Sequence, residues 1–244
     1  MEYVSLEGLR LDGRRPKETR QMRCTMTVLP NADGSALFEM GNTKVLAAVY
    51  GPREAPMRSH TLHDRMVVQC EFSMASFSTG ERRRRTKGDR KSVELGLVIK
   101  QALETAMITE LLPRSQVDVN IQVLQADGGV RAAAINAAIL AIADAGIPLR
   151  DTMASCAAGY LDGVPLLDLN YLEEGGGGPE VYVALQPNLN KVVLLQMDNK
   201  ATVDVFAPVN ELALEGCRVV AQVMREAMLK QTRNLAATRA IEAL

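Results

Sequence analysis

Residues 124–148 read LQADGGVRAAAINAAILAIADAGIP. An apolar strand over Ile121–Leu124 runs into Asp127-Gly128-Gly129, and beyond Arg131 comes a stretch of Ala, Ile and Leu interrupted only by Asn136 and Asp144. So apolar a run predicts a buried helix, stopped at Gly146 with Pro148 beyond. Two glycines ahead of a helix let the backbone approach a ligand closely, and the first N–H groups of that helix have no intrahelical partner. Such an end favours an anion, and Arg131 in the first turn adds a positive fork suited to a phosphate or a carboxylate. The same residues also fit a glycine turn capping a core helix, with Arg131 paired to a nearby acid.

Upstream, Arg10–Pro16 is polar and turn-rich and leads to a strand over Arg23–Leu29. Asn31–Gly34 is a turn, after which Ser35–Met40 and Thr43–Tyr50 flank Gly41-Asn42 as a hairpin. The second arm, KVLAAVYGP, is apolar on both faces and is expected at the centre of a covered sheet. A loop over Arg53–Asp64 precedes a strand over Met66–Ser76. Arg82–Lys91 (RRRRTKGDRK) then sets seven cations against one acid, Asp89. That segment is either a solvated loop or a surface for a polyanion, and the scarcity of aromatics favours phosphate contact over base stacking. Ser92 is expected to cap a helix reaching Leu112, with Val93, Leu97, Ile99, Leu103, Met107 and Leu111 along one face and Pro113 ending it. Lys91 and Ser92 thus form a second cationic helix start, and Gln116–Leu124 is the strand leading back to the glycine turn.

Downstream the plan repeats. Strands are expected over Ala154–Tyr160 and Pro165–Asn170, a hairpin over Val181–Gln186 and Lys191–Met197, and a helix from Asn210 to about Leu229 or Leu235. ALFEMGNTKVLAAV and VYVALQPNLNKVVLLQM match in pattern, which suggests two related halves, about 20–146 and 150–240, in one 1–244 unit. Between the later strands, Glu173–Glu180 is a glycine loop with acids at both ends.

Composition narrows the classes. Net charge is -1, so any nucleic-acid surface must be local. Four separated cysteines without CxxC, and two histidines in the chain, argue against a zinc framework or a disulfide scaffold. His60 and His63 carry no expected metal role. No apolar run reaches ~18 residues and no signal-type segment opens the chain, so neither secretion nor a membrane span is expected.

RLDGRR (10–15), ADGSALFEMGNTKVLAAVYGP (32–52), FSTGERRRR (77–85) with GDRKS (88–92), LQADGGVR (124–131), ADAGIPLRD (143–151) and LLDLNYLEE (166–174) together resemble the RNase PH family. Within it they are similar to the eukaryotic exosome ring subunits that correspond to the catalytic subunit of the archaeal exosome. The resemblance spans roughly Leu6–Ala227. It implies an α/β fold of duplicated βαβ-type halves, similar to the second domain of ribosomal protein S5. It also implies a six-subunit ring around a channel for single-stranded RNA. Active members phosphorolyse RNA 3′ ends to nucleoside diphosphates with inorganic phosphate and, where used, Mg. A purely structural role needs no cofactor.

Carried over by that resemblance, the phosphate-binding positions are Lys91, Ser92, Gly129, Val130 and Arg131, and the two acids are Glu174 and Glu180. RNA-binding positions are Arg58, Ser59, Arg90 and Lys91, with Arg82, Arg83, Arg84 and Arg85 extending the surface. Active members have Arg, Ser or Thr, and two Asp where this chain has Lys91, Val130 and the two Glu. Lys91 loses bidentate geometry. Val130 lacks a donor, a loss on the order of 10²-fold or more, and a ~1 Å displacement of a carboxylate can cost about 10²-fold. The expectation is therefore a degenerate phosphorolytic site, the alternative being an active phosphate-dependent 3′-to-5′ exoribonuclease. A phosphate-binding enzyme unrelated to RNA would leave the cationic segment unexplained. Expected partners are other RNase PH-like ring subunits, S1- and KH-type cap subunits and an associated hydrolytic nuclease, with no membrane. The expected location is nucleus, nucleolus and cytoplasm.

Overall fold

The structure is a computed structural model that describes residues 3–5, 7–55, 62–82 and 89–242, the last four by backbone alone. Strands β1 (Met22–Met26), β2 (Gly34–Met40) and β3 (Thr43–Glu54) form a meander. Met40 pairs with Thr43 across the two-residue turn Gly41-Asn42, where Gly41 takes φ 58°. β4 (Val67–Met74) and β5 (Ser115–Gln125) are parallel, joined by helix α1 (Arg90–Ala106), and complete a sheet of order β1-β2-β3-β5-β4. β3 is its central strand, which explains an apolar pattern on both faces.

Helix α2 (Val130–Asp144) crosses to a second, antiparallel sheet. Its strands are β6 (Ala154–Leu161), β7 (Val164–Leu167), β8 (Glu180–Gln186) and β9 (Lys191–Asp198), in the order β7-β6-β8-β9. α2 packs on β2 and β3 on one side and on β6 and β8 on the other. Every residue from Ala132 to Ile142 is buried, so the helix needs no polar face. The one polar residue in that run, Asn136, is satisfied by Ser155 of β6: its amide donates to the Ser155 carbonyl at 2.9 Å and its oxygen accepts the Ser155 N–H at 2.7 Å. A short helix α3 (Tyr171–Glu174) precedes β8, and α4 (Val203–Glu242) covers the other face of the second sheet.

Several boundaries differ from the sequence expectations. α1 begins at Arg90 with Asp89 at the N-cap and ends at Ala106, while Thr109–Leu111 forms a separate 3-10 turn. Ser92 is therefore inside the first turn and is not the cap. The buried stripe of α1 is Gly96, Ile99, Ala102, Leu103 and Ala106, leaving Val93, Leu97 and Leu111 exposed. Small residues let α1 lie close on β4: a Cβ at Gly96 would sit 3.4 Å from the Cys70 carbonyl. β7 stops at Leu167 because Asp168 takes φ 54°, which breaks the extended chain. α4 starts at Val203, seven residues before Asn210, and carries Pro208 inside it. Among the described residues no helix is long and apolar enough to cross a membrane.

Candidate functional site

The glycine turn between β5 and α2 is held from below. Gly128 and Gly129 both have positive φ, 79° and 63°, and a Cβ at Gly128 would stand 2.4 Å from the Leu169 carbonyl. Thr43 Oγ1 accepts the Asp127 N–H at 3.1 Å and donates to the Gly128 carbonyl at 2.7 Å. Arg20 donates to the Asp127 carbonyl and, at 3.2 Å, to that of Gly128. Arg20 is in turn gripped by the fully buried Asp168, with Nε to Oδ2 at 2.9 Å and Nη2 to Oδ1 at 2.7 Å. Three segments distant in sequence, at Arg20, Thr43 and Asp168-Leu169, therefore fix one turn, and with it the start of α2.

Facing that start is the α3 carboxylate of Glu174. Its Oε1 accepts the Gly129 N–H at 2.6 Å and lies 3.4 Å from the Tyr182 hydroxyl. The adjacent Glu173 does different work. It is buried, forms a capping box with Asn170, and pairs with Arg10 in an ion pair whose two side chains are fully buried. Two neighbouring carboxylates thus divide into a structural clamp and a site residue.

Glu180 opens β8 and is 8% exposed. Burial first, and the nearby Glu174 second, push its carboxyl up to about 8. Burial likewise raises Glu174, offset in part by the Gly129 N–H, and Tyr182 is raised by burial and both carboxylates. The Arg131 guanidinium lies 4.8 Å from the Tyr182 ring centre, a cation–π stack. Arg131 Nη2 pairs with Asp198 of β9 at 2.9 Å. Val130 packs on the core beside them.

Gly129, Val130, Arg131, Glu174 and Glu180 thus come together. Lys91 and Ser92 do not join them by any hydrogen bond or ion pair among the described residues. Arg90 and Lys91 are exposed at the start of α1, whose first turn holds no acid. Cations there oppose the helix dipole, an arrangement that an external polyanion relieves. Arg82 is exposed as well. Arg58, Ser59, His60, Arg83, Arg84 and Arg85 lie outside the described residues.

Sequence reading missed Tyr182, Asp198, Arg20 and Asp168. The first two needed the β8–β9 register, which sets Glu180 opposite Asp198. As to a divalent cation, no group of three or more His, Cys, Asp or Glu among the described residues is arranged to hold one.

Fold and site together define a two-sheet α/β protein with a glycine-turn helix start set against paired carboxylates. Residues 18–148 match the model of the 3′ exoribonuclease family domain 1, RNase PH, and residues 151–216 match domain 2 of that family. The chain belongs to the RNase PH family of 3′ exoribonucleases. It is 57% identical to the Arabidopsis thaliana exosome complex component RRP41 homolog, over 98% of this chain and 100% of the relative. It is 51% identical to the Mus musculus exosome complex component RRP41, over 90% of each. Among solved structures it is similar to rice Rrp46, with a TM-score of 0.78 and 28% identity over 90% of this chain and 100% of that one.

Proposed function

We propose that this chain is an RNA-binding subunit of the exosome core ring, helping to form a channel that threads single-stranded RNA, with a phosphorolytic site that no longer turns over. The observation that carries the last point is the seat of Glu174. The N–H at the α2 start, which an attacking phosphate would need, is already taken by the chain's own carboxylate at 2.6 Å. Val130 offers no hydroxyl to replace it. Ring membership is supported by long, high-identity matches to relatives named as exosome components. RNA contact is supported by the exposed Arg82, Arg90 and Lys91 and by the uncompensated α1 start. On this reading the partners are other RNase PH-like subunits, S1- and KH-type cap proteins and a hydrolytic nuclease, in nucleus, nucleolus and cytoplasm.

One observation favours a second reading, an active phosphorolytic nuclease. A Glu180 carboxyl raised to about 8 keeps its proton at neutral pH. It would be a general acid for the departing 3′ oxygen while phosphate attacks the terminal phosphorus. In that step the bond from phosphorus to the 3′ oxygen breaks, the oxygen takes the proton, and a nucleoside diphosphate leaves.

The deciding experiment incubates the reconstituted ring with 3′-labelled single-stranded RNA, with and without inorganic phosphate, beside an Arg131→Ala ring. RNA retention without decay is the expected result. Phosphate-dependent nucleoside diphosphate release that disappears in Arg131→Ala would overturn the inactive reading in favour of the second. The same ring should bind RNA with a log K against log[salt] slope of roughly -3 to -4, at about -0.7 per phosphate contact for four or five cations. Arg90→Glu with Lys91→Glu should shrink that slope by about 1.4. Unchanged affinity and slope in the double variant would remove this surface from the RNA path.

A further inference from the structure

Of the four phenylalanines, Phe38 and Phe72 are buried in the core and Phe206 packs against it, whereas Phe77 is 72% exposed. That exposure is built into the fold. The Ala75 N–H donates to the Val123 carbonyl at 2.9 Å, and the Ser78 carbonyl accepts the Ala126 N–H at 2.8 Å. Ala75 and Ser78 are themselves buried, so the loop is seated and the Phe77 ring is held outward. Ala126 stands directly before Asp127-Gly128-Gly129, which mounts Phe77 beside the glycine turn. β4 runs parallel to β5, so both strands end at the edge where α2 begins. α1 returns the other way: beyond its far end, the Thr109 carbonyl accepts the Met66 N–H, just ahead of β4, at 2.9 Å. Arg90 and Lys91, at the start of α1, therefore share the edge of Phe77. Open α/β sheets take their ligands at the carboxyl ends of parallel strands.

The chain around the ring is polar: Ser76, Ser78, Thr79, Gly80, Glu81 and Arg82. An aromatic anchor of a protein interface is ringed by further contacts that exclude water around a largely apolar centre, and this loop offers no second apolar side chain. A flat ring on a fixed mount, with exposed cations at the same edge, suits an unpaired base. Every base has a π-face, and its flanking phosphates can meet the cations. Resting on the RNA-binding reading above, we infer that Phe77 is a stacking platform for one base of the single strand whose phosphates Arg82, Arg90 and Lys91 contact. The stack carries no charge, so the affinity it adds releases no counterions and does not depend on salt. It is also tolerant of which base arrives. A duplex keeps its bases stacked on one another, so the platform favours single strands.

The test measures equilibrium binding of the assembled ring to a short oligouridylate over a range of salt, with rings carrying Phe77→Ala and Phe77→Tyr beside the wild type. Phe77→Ala should weaken binding roughly 5- to 150-fold at every salt concentration, the span for one stacked base, and leave the slope of log K against log[salt] unchanged. Phe77→Tyr, which keeps a ring, should restore the affinity. A single abasic nucleotide moved along the oligouridylate should reveal one position at which the wild-type ring loses affinity by that factor and the Phe77→Ala ring loses none. Unchanged affinity in Phe77→Ala, or a loss that comes with a smaller slope, would overturn the platform alone. So would a Phe77→Ala ring that fails to assemble, because the side chain would then belong to a contact between subunits. Absence of RNA binding by the wild-type ring would overturn both this inference and the RNA reading beneath it.

Discussion

Replacing Asp168 by alanine is expected to cost about 3–5 kcal/mol of stability, the range for stripping one partner from a buried charge pair. Asp168 is fully buried and takes the Arg20 backbone N–H, Nε and Nη2, each within 2.9 Å. The Arg20 side chain is 7% exposed, so its charge cannot turn to water once the carboxylate is gone. Arg20 also holds the Asp127 and Gly128 carbonyls, so the glycine turn loosens with it. For a chain of this size ~1 kcal/mol corresponds to about 2–4 °C, so thermal melting should fall by roughly 6–20 °C. Asp168→Asn should lose less, because asparagine tolerates the positive φ and still accepts one hydrogen bond. A loss below ~1 kcal/mol in Asp168→Ala would show that the Arg20 clamp is not what fixes the turn.

The second large effect concerns pH. Glu180 titrates near 4.5 when unfolded and at about 8 in the folded chain. Between those values the folded form holds a proton that the unfolded form has released, so stability falls as pH rises through that window. One pH unit of displacement is worth ~1.4 kcal/mol. Even a partial expression of it gives a loss on the order of 2 kcal/mol between about pH 5 and pH 8.5, or ~4–8 °C. Glu180→Gln is neutral at every pH and should melt with a much flatter profile, overtaking the wild type above about pH 8. Burial also raises Glu174. A wild-type profile flat over this window, or a decline that survives in Glu180→Gln, would show that the carboxylate ionises in the folded chain without penalty.

The parts of this fold that could be read from sequence were those governed by local patterns. The β2–β3 hairpin was visible because Gly41-Asn42 separates two alternating apolar runs. α2 was visible because its residues are apolar on every side, and the turn before it because two glycines precede Arg131. Glu174 and Glu180 were reached through resemblance, and Glu173 beside them carried the same chemistry in sequence. Only the Arg10 pair and the capping box separate the two neighbours. Asp198 and Tyr182 escaped because their place beside Arg131 and Glu180 arises from strand register across β8 and β9. Arg20 and Asp168 stand 148 residues apart, with no periodicity to join them. Arg10 and Arg14 looked like a polar surface turn, yet Arg10 is 3% exposed and anchors the end of β7 through the Leu167 carbonyl. At α1 the apolar spacing found half of the buried stripe, Ile99, Leu103 and Met107, while the close approach to β4 selects Gly96, Ala102 and Ala106 over Val93 and Leu97.

The burial of α2 on both sides also bears on how the chain is made. Residues up to Pro148 supply the helix and the sheet that covers one side of it. The other cover, β6 and β8, lies wholly after that point. While a ribosome is still synthesising the second sheet, the Ala, Ile and Leu residues that will meet it have no mate, and Asn136 waits for Ser155. The nascent first half is therefore expected to expose apolar surface until β6 and β8 emerge. A chain cut after Pro148 should yield two insoluble pieces that regain structure only when refolded together.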